Sequence, residues 1–139
     1  MGDRGASAVE LAVLTPALMM VCLLILQFGL WFNARQVALA AARAGATVAR
    51  EDAANSPNGW QAAGTGAARQ YYLALNSPLL HQLKAVPSGN ATTNVYITVT
   101  GQLAYSVFPF FPLHLTVSAT AGGPVECFRP ANFGGNSCG

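Results

Sequence analysis

The chain has 139 residues, 53% of them hydrophobic and only 9% charged, with a formal net charge of +2. Its length admits one modest domain beyond a membrane segment, and its charged fraction is far below the about 25% of ordinary soluble proteins. Seven basic residues, scattered and not clustered, exclude the electrostatic footprint of a nucleic-acid binder.

Met1 to Arg4 is a short polar head, and Gly5 to Glu10 is built of small residues apart from Val9 and the closing carboxylate. From Leu11 to Ala34 there is no charged residue. A helix that crosses bilayer hydrocarbon needs about 20 apolar residues at about 1.5 Å rise each, whereas a signal-peptide core runs to about 7–15. The stretch therefore predicts one membrane-spanning helix near the N-terminus. A carboxylate at the mouth of such a helix is costly unless neutralised. In the headgroup layer the helix dipole favours it, which accounts for the charge of Glu10 but not for its spacing from Gly5. Pro16 removes one helical hydrogen bond, a loss that neighbouring helices or local adjustment can offset inside a membrane. Cys22 packs as a small hydrophobe, and Trp31 is placed as an interfacial anchor.

Gly5, four small or apolar residues, Glu10 and a long apolar helix together resemble the class III signal of type IV prepilins. The wider run, Arg4-Gly5-Ala6-Ser7-Ala8-Val9-Glu10-Leu11-Ala12 with Pro16 and the later Ala40-Ala41-Ala42-Arg43-Ala44-Gly45-Ala46, resembles the TadE-like pseudopilins of the tight-adherence (Flp) type IV pilus system. The resemblance spans roughly Arg4 to Arg50 and departs at Leu11, where those proteins often carry Phe. It implies a membrane-anchored minor pilin or pseudopilin cut by prepilin peptidase between Gly5 and Ala6, with the helix retained. It also implies other pilins or pseudopilins, the assembly platform and membrane lipid as partners, with no direct contact to nucleic acid. After such a cut the new amine of Ala6 and the carboxylate of Glu10 would be opposite charges in a layer of low dielectric. Their attraction, within a chain or between neighbours, would set the axial register of adjacent helices. Glu10 is on that basis an assembly residue.

Beyond the membrane, Ala34, Val37, Ala38, Ala41, Ala42, Gly45 and Val48 form a narrow small-residue stripe at helical spacing, away from Arg35, Arg43 and Arg50. Small residues permit close helix approach, either to the chain's own distal domain or to another pilin helix. Asn55-Ser56-Pro57-Asn58-Gly59 is a turn signal. Trp60, Ala63, Ala67, Tyr71 and Leu75 then predict the inner face of a second amphipathic helix, weakened by Gly64 and Gly66 by about 1 kcal/mol each. Ser77-Pro78 reads as the cap and first position of a short helical segment through Lys84, ended by Pro87-Ser88-Gly89-Asn90.

Asn94 to Val107 alternates, with Val95, Ile97, Val99, Leu103, Tyr105 and Val107 on one face and Thr98, Thr100, Gln102 and Ser106 on the other. That is a half-buried strand in which Gly101 marks a bulge or bend. Phe108-Pro109-Phe110-Phe111-Pro112 interrupts it, and Leu113, Leu115, Val117, Ala119 and Ala121 resume the alternation as a second strand. Such a hairpin is marginal alone, and the second helix is expected to cover it. Gly122 to Gly139 reads as loop. Cys127 and Cys138 are spaced to close a disulfide within it, which would place this tail in an oxidising compartment; two free thiols are the alternative.

The expected architecture is α+β and membrane-anchored. Residues 1–5 form a prepilin-like leader, 6–34 the transmembrane helix, 35–56 an extracytoplasmic extension and turn, and 57–139 a small α+β domain with an antiparallel hairpin or sheet. Arg35, Arg43 and Arg50 beyond the helix would, by the positive-inside rule alone, hold the C-terminal part in the cytoplasm. The prepilin-like head and the cysteine pair point the other way: N-terminus in the cytoplasm, C-terminal domain outside the cell membrane or in a pilus.

His81 and His114 fall on different elements with no carboxylate or cysteine at ligand spacing, so no metal site is expected. Asp3, Glu10, Glu51, Asp52 and Glu126 suggest no acid–base pair. No phosphate-binding glycine loop and no nucleophile motif is present. The chain reads as a non-enzyme without a cofactor. Two other readings remain. One is a protein released by signal peptidase at Ala38-Leu39-Ala40; the other is an extracytoplasmic enzyme or binding domain, secreted or anchored, unrelated to pili.

Overall fold

The computed structural model describes residues 3–56, 58–106 and 115–125, and only the backbone of residues 3–8. Helix α1 runs unbroken over Asp3–Asn55, 53 residues, with Pro16 inside it. At about 1.5 Å per residue it is about 80 Å long. Helix α2 covers Trp60–Ala74, and three strands follow: β1 (Leu80–Gly89), β2 (Asn94–Leu103) and β3 (Thr116–Pro124). The strands form one antiparallel sheet in the order β1-β2-β3. Gly59, in the left-handed region at φ 109°, turns the chain into α2, which is the change of direction expected from the Asn55–Gly59 turn signal.

Exposure divides α1 in two. From Val9 to Leu26 nearly every side chain is exposed, whereas Ala34, Ala38, Ala41, Ala42, Ala46, Ala49 and Ala53 are all buried. The buried alanines pack on α2, β2 and β3 of the same chain. The small-residue stripe thus serves the chain's own distal domain, the first of the two occupants it allowed. The sheet is covered mainly by this half of α1, which lies over β2 and β3, while α2 packs on α1 and reaches β1. The expectation that the second helix covers the hairpin is corrected accordingly: α1 supplies most of the cover and α2 the part over β1. Val95, Ile97, Val99, Leu103, Val117 and Ala119 supply the sheet's buried face. Thr98 and Thr120 pair on the outer face with their hydroxyls 2.9 Å apart.

The inner face of α2 is offset by one residue from the expected one. Trp60, Gly64 and Ala68 are buried and Tyr72 is half-buried, whereas Tyr71 and Leu75 are exposed. The reason is close helix contact. A Cβ at Gly64 would lie 2.7 Å from the Ala49 Cβ, and one at Gly45 would lie 2.6 Å from the Gly64 carbonyl oxygen. A glycine that weakens α2 in isolation is the residue that lets it seat against α1.

The helical segment expected over Ser77–Lys84 is instead a turn at residues 78–79 followed by the start of β1 at Leu80. Leu80 pairs with Leu103 and His81 with Gln102, and after an irregularity the ladder resumes from Lys84 with Thr100 to Gly89 with Val95. Pairing across the sheet outweighs the local helix signal. Pro87 is tolerated because β1 is an edge strand. The irregularity expected at Gly101 falls opposite it on β1, where Gln82 has φ 53°. Leu80 packs over Gly101, and a Cβ there would lie 3.3 Å from the Leu80 Cδ2. Asn90-Ala91-Thr92 forms the β1–β2 turn, in which the Asn90 Oδ1 accepts a bond from the Thr92 amide at 3.1 Å. Tyr105 lies past the end of β2 and is exposed, not on the buried face. Residues 107–114, with the aromatic-proline stretch and His114, lie outside the described residues.

Candidate membrane and processing segment

The segment that carries the sequence motif is the N-terminal half of α1. Helical backbone begins at Asp3, so the Gly5–Ala6 peptide bond sits in its first turns. Glu10 is exposed at the edge of the apolar stem. Among the described residues its carboxylate makes no hydrogen bond or ion pair. Ala6 and Glu10 stand four positions apart in the helical backbone, about one turn and about 6 Å along the axis.

Beyond Glu10 the helix is long and apolar enough to cross a membrane, and no part of its most apolar window is covered by the rest of the chain. Val13, Leu18, Met19, Ile25, Phe28 and Phe32 are among the side chains left bare. Water disfavours such a surface at about 25 cal/mol per Å² of apolar area, whereas bilayer hydrocarbon matches it on every side. Pro16 leaves the Ala12 carbonyl without its helical donor. One residue earlier, Thr15 keeps its hydroxyl inside the helix by donating to the Leu11 carbonyl at 2.6 Å. Cys22 is a free thiol exposed on this stem.

The stem ends where the domain begins to cover it. Gln27 is only 4% exposed, and Leu30 and Trp31 pack on the edge of the core. The Arg35 guanidinium lies over the Trp31 ring, 5.7 Å from its centroid, a cation–π contact that pairs a cation with an amphipathic ring at the end of the apolar run. Sequence reasoning singled out Trp31 but not Arg35 as its partner; their spacing of four on a helix was the available signal. Cys127, Cys138 and Glu126 lie outside the described residues.

No curated protein and no solved structure matches the chain. One family model matches residues 5–47, a span that takes in Gly5, Glu10, the bare apolar stem and the first buried alanines of α1. That model is described as TadE-like protein, and residues 5–47 are the part of this chain that is similar to it.

Proposed function

We propose that the chain is a minor pilin or pseudopilin of a tight-adherence (Flp) pilus, anchored by the stem of α1 and cut by prepilin peptidase between Gly5 and Ala6. One observation carries this reading: the TadE-like match spans the small-residue lead, Glu10 and the bare stem in one continuous helix. The role is assembly and not catalysis. Glu10 neutralises the mature amine of Ala6, its own or a neighbour's, and so fixes how far one helix slides along the next. The domain on the buried half of α1 lies outside the cytoplasm. Its partners are the peptidase, other pilins or pseudopilins, and the assembly platform. Release by signal peptidase at Ala38-Leu39-Ala40 is disfavoured, because that cut severs α1 between Ala38 and Ala41, both fully buried in the core.

N-terminal sequencing of protein extracted from membranes tests the cut: the mature chain is expected to begin at Ala6, and an intact leader in cells that hold the peptidase overturns it. For Glu10 the informative variant is Glu10→Gln, which keeps size and shape and removes the charge. It is expected to lower incorporation into pili at least tenfold while cleavage proceeds. Unchanged incorporation would refute the register role.

A further inference from the structure

We infer that the underside of the distal domain, formed by Leu73, Leu75 and Tyr105, rests in the lipid headgroup layer, so that the domain is seated on the bilayer and not held away from it. This rests on the reading that the stem of α1 spans the membrane, and it adds where the domain sits relative to that membrane.

The packing sets the level of each element along α1. Gly64 lies against Ala49 and Gly45, and Ala68 lies against Gly45, so α2 runs antiparallel to α1 and brings its C-terminal end toward the stem. Continuing that pairing places Leu73 and Leu75 beside residues of α1 just past Arg35. The sheet reaches somewhat further toward the stem. Gly123 lies against Arg50 and pairs with Val95. From Val95 to Leu103, β2 descends about 26 Å at about 3.3 Å per residue. Over that length α1 runs back about 17 residues at about 1.5 Å each, to the neighbourhood of Asn33. Tyr105 lies beyond that point. The burial of Ala34 and the packing of Leu30 and Trp31 on the core agree with this level.

Six large apolar or aromatic side chains outside the stem are exposed among the described residues: Tyr71, Leu73, Leu75, Val86, Tyr96 and Tyr105. The three most exposed, Leu73 at 65%, Tyr105 at 53% and Leu75 at 43%, are at this end, with Tyr71 one turn before Leu75. By this register they lie within about two turns of the level at which the bare stem stops and the Trp31–Arg35 pair stands. Apolar surface that is continuous with a membrane span, and at headgroup depth, is matched by the lipid interface, where tyrosine and tryptophan rings are enriched and leucine is buried shallowly. Arg69, exposed one turn before Leu73, adds a cation that can reach lipid phosphate.

The test uses the full chain in phosphatidylcholine nanodiscs, read by NMR relaxation with two agents. One is a nitroxide on the lipid headgroup, and the other is a soluble gadolinium chelate. Leu73, Leu75 and Tyr105 are expected to lose most of their signal to the lipid nitroxide and to be shielded from the chelate. The Asn90–Thr92 turn at the far end should show the reverse. Access of the chelate to Leu75 and Tyr105 would overturn the inference, as would shielding without the lipid effect, which would mean a protein cover such as a second copy. Ile25 separates the two readings. If it is shielded while Leu75 and Tyr105 are not, the span stands and the seating falls; if Ile25 itself meets the chelate, both fall.

Discussion

Gly45, Gly64 and Gly66 show how one residue type takes opposite roles within a few turns. A Cβ at Gly45 would lie 2.6 Å from the Gly64 carbonyl oxygen and 2.8 Å from the Ala68 Cβ, inside contact distance of backbone that cannot swing away. At Gly66 nothing lies within 4 Å of the same atom. Replacing a helical glycine by alanine gains about 1 kcal/mol of propensity, while overpacking a core contact costs about 1–3 kcal/mol. Gly66→Ala is therefore expected to stabilise the protein by somewhat less than about 1 kcal/mol. Gly45→Ala is expected to destabilise it by up to about 2 kcal/mol, since a clash with a backbone oxygen sits at the upper end of the overpacking cost and outweighs the propensity gain. Denaturant midpoints of the two variants, measured side by side in one detergent, check the opposite signs.

At the scale of the element, β2 is the centre of the sheet and its inward positions carry the domain. Ile97 is fully buried and touches both close-packed glycines, its Cγ2 3.3 Å from a Cβ placed at Gly45 and its Cδ1 2.9 Å from one placed at Gly64. Truncating a buried isoleucine costs about 2–5 kcal/mol, so Ile97→Ala should lower the melting temperature sharply. Tyr105→Ser, at an exposed site, should stay within about 0.5 kcal/mol in detergent. Both follow from thermal melts read by circular dichroism. The alternation of Val95, Ile97 and Val99 made β2 legible from the sequence, as did that of Val117 and Ala119 for β3. The length of the apolar run made the stem legible in the same way. β1 was not legible, because Ser77-Pro78 and Pro87 speak locally of a cap and a breaker. Only pairing with β2, which no local pattern records, turns Leu80–Gly89 into an edge strand. The offset of α2 was hidden for a related reason. A periodicity count weighs Tyr71 and Leu75 as core because they are large, whereas the tight helix contact selects Gly64 and Ala68 because they are small. The resemblance over the N-terminal segment was legible, since spacing along one helix is local information, and residues 5–47 are those that match the TadE-like model. The Arg35–Trp31 contact was equally local.

For the molecule as a whole, the consequential feature is that α1 belongs to two structures at once. Its first half is bare stem, and its second half is the largest single contributor to the core, with seven buried alanines from Ala34 to Ala53. A boundary placed at the end of the helix would therefore split the core, although the turn at Asn55–Gly59 is where the sequence most plainly breaks. A fragment that starts at Asn33 keeps every one of those alanines and loses the bare stem together with the edge contacts of Gln27, Leu30 and Trp31. It is expected to be soluble and to melt in one cooperative step. A fragment that starts at Arg50 keeps α2 and the sheet but strips the cover from Val95, Ile97, Val99 and Val117. A three-stranded sheet with one short helix cannot bury enough apolar area to offset an ordering entropy of about 1–2 kcal/mol per residue. That shorter fragment should show no cooperative transition and should bind a dye that reports exposed apolar surface. If instead it melts as sharply as the longer one, α1 would be an anchor tied to an independent domain.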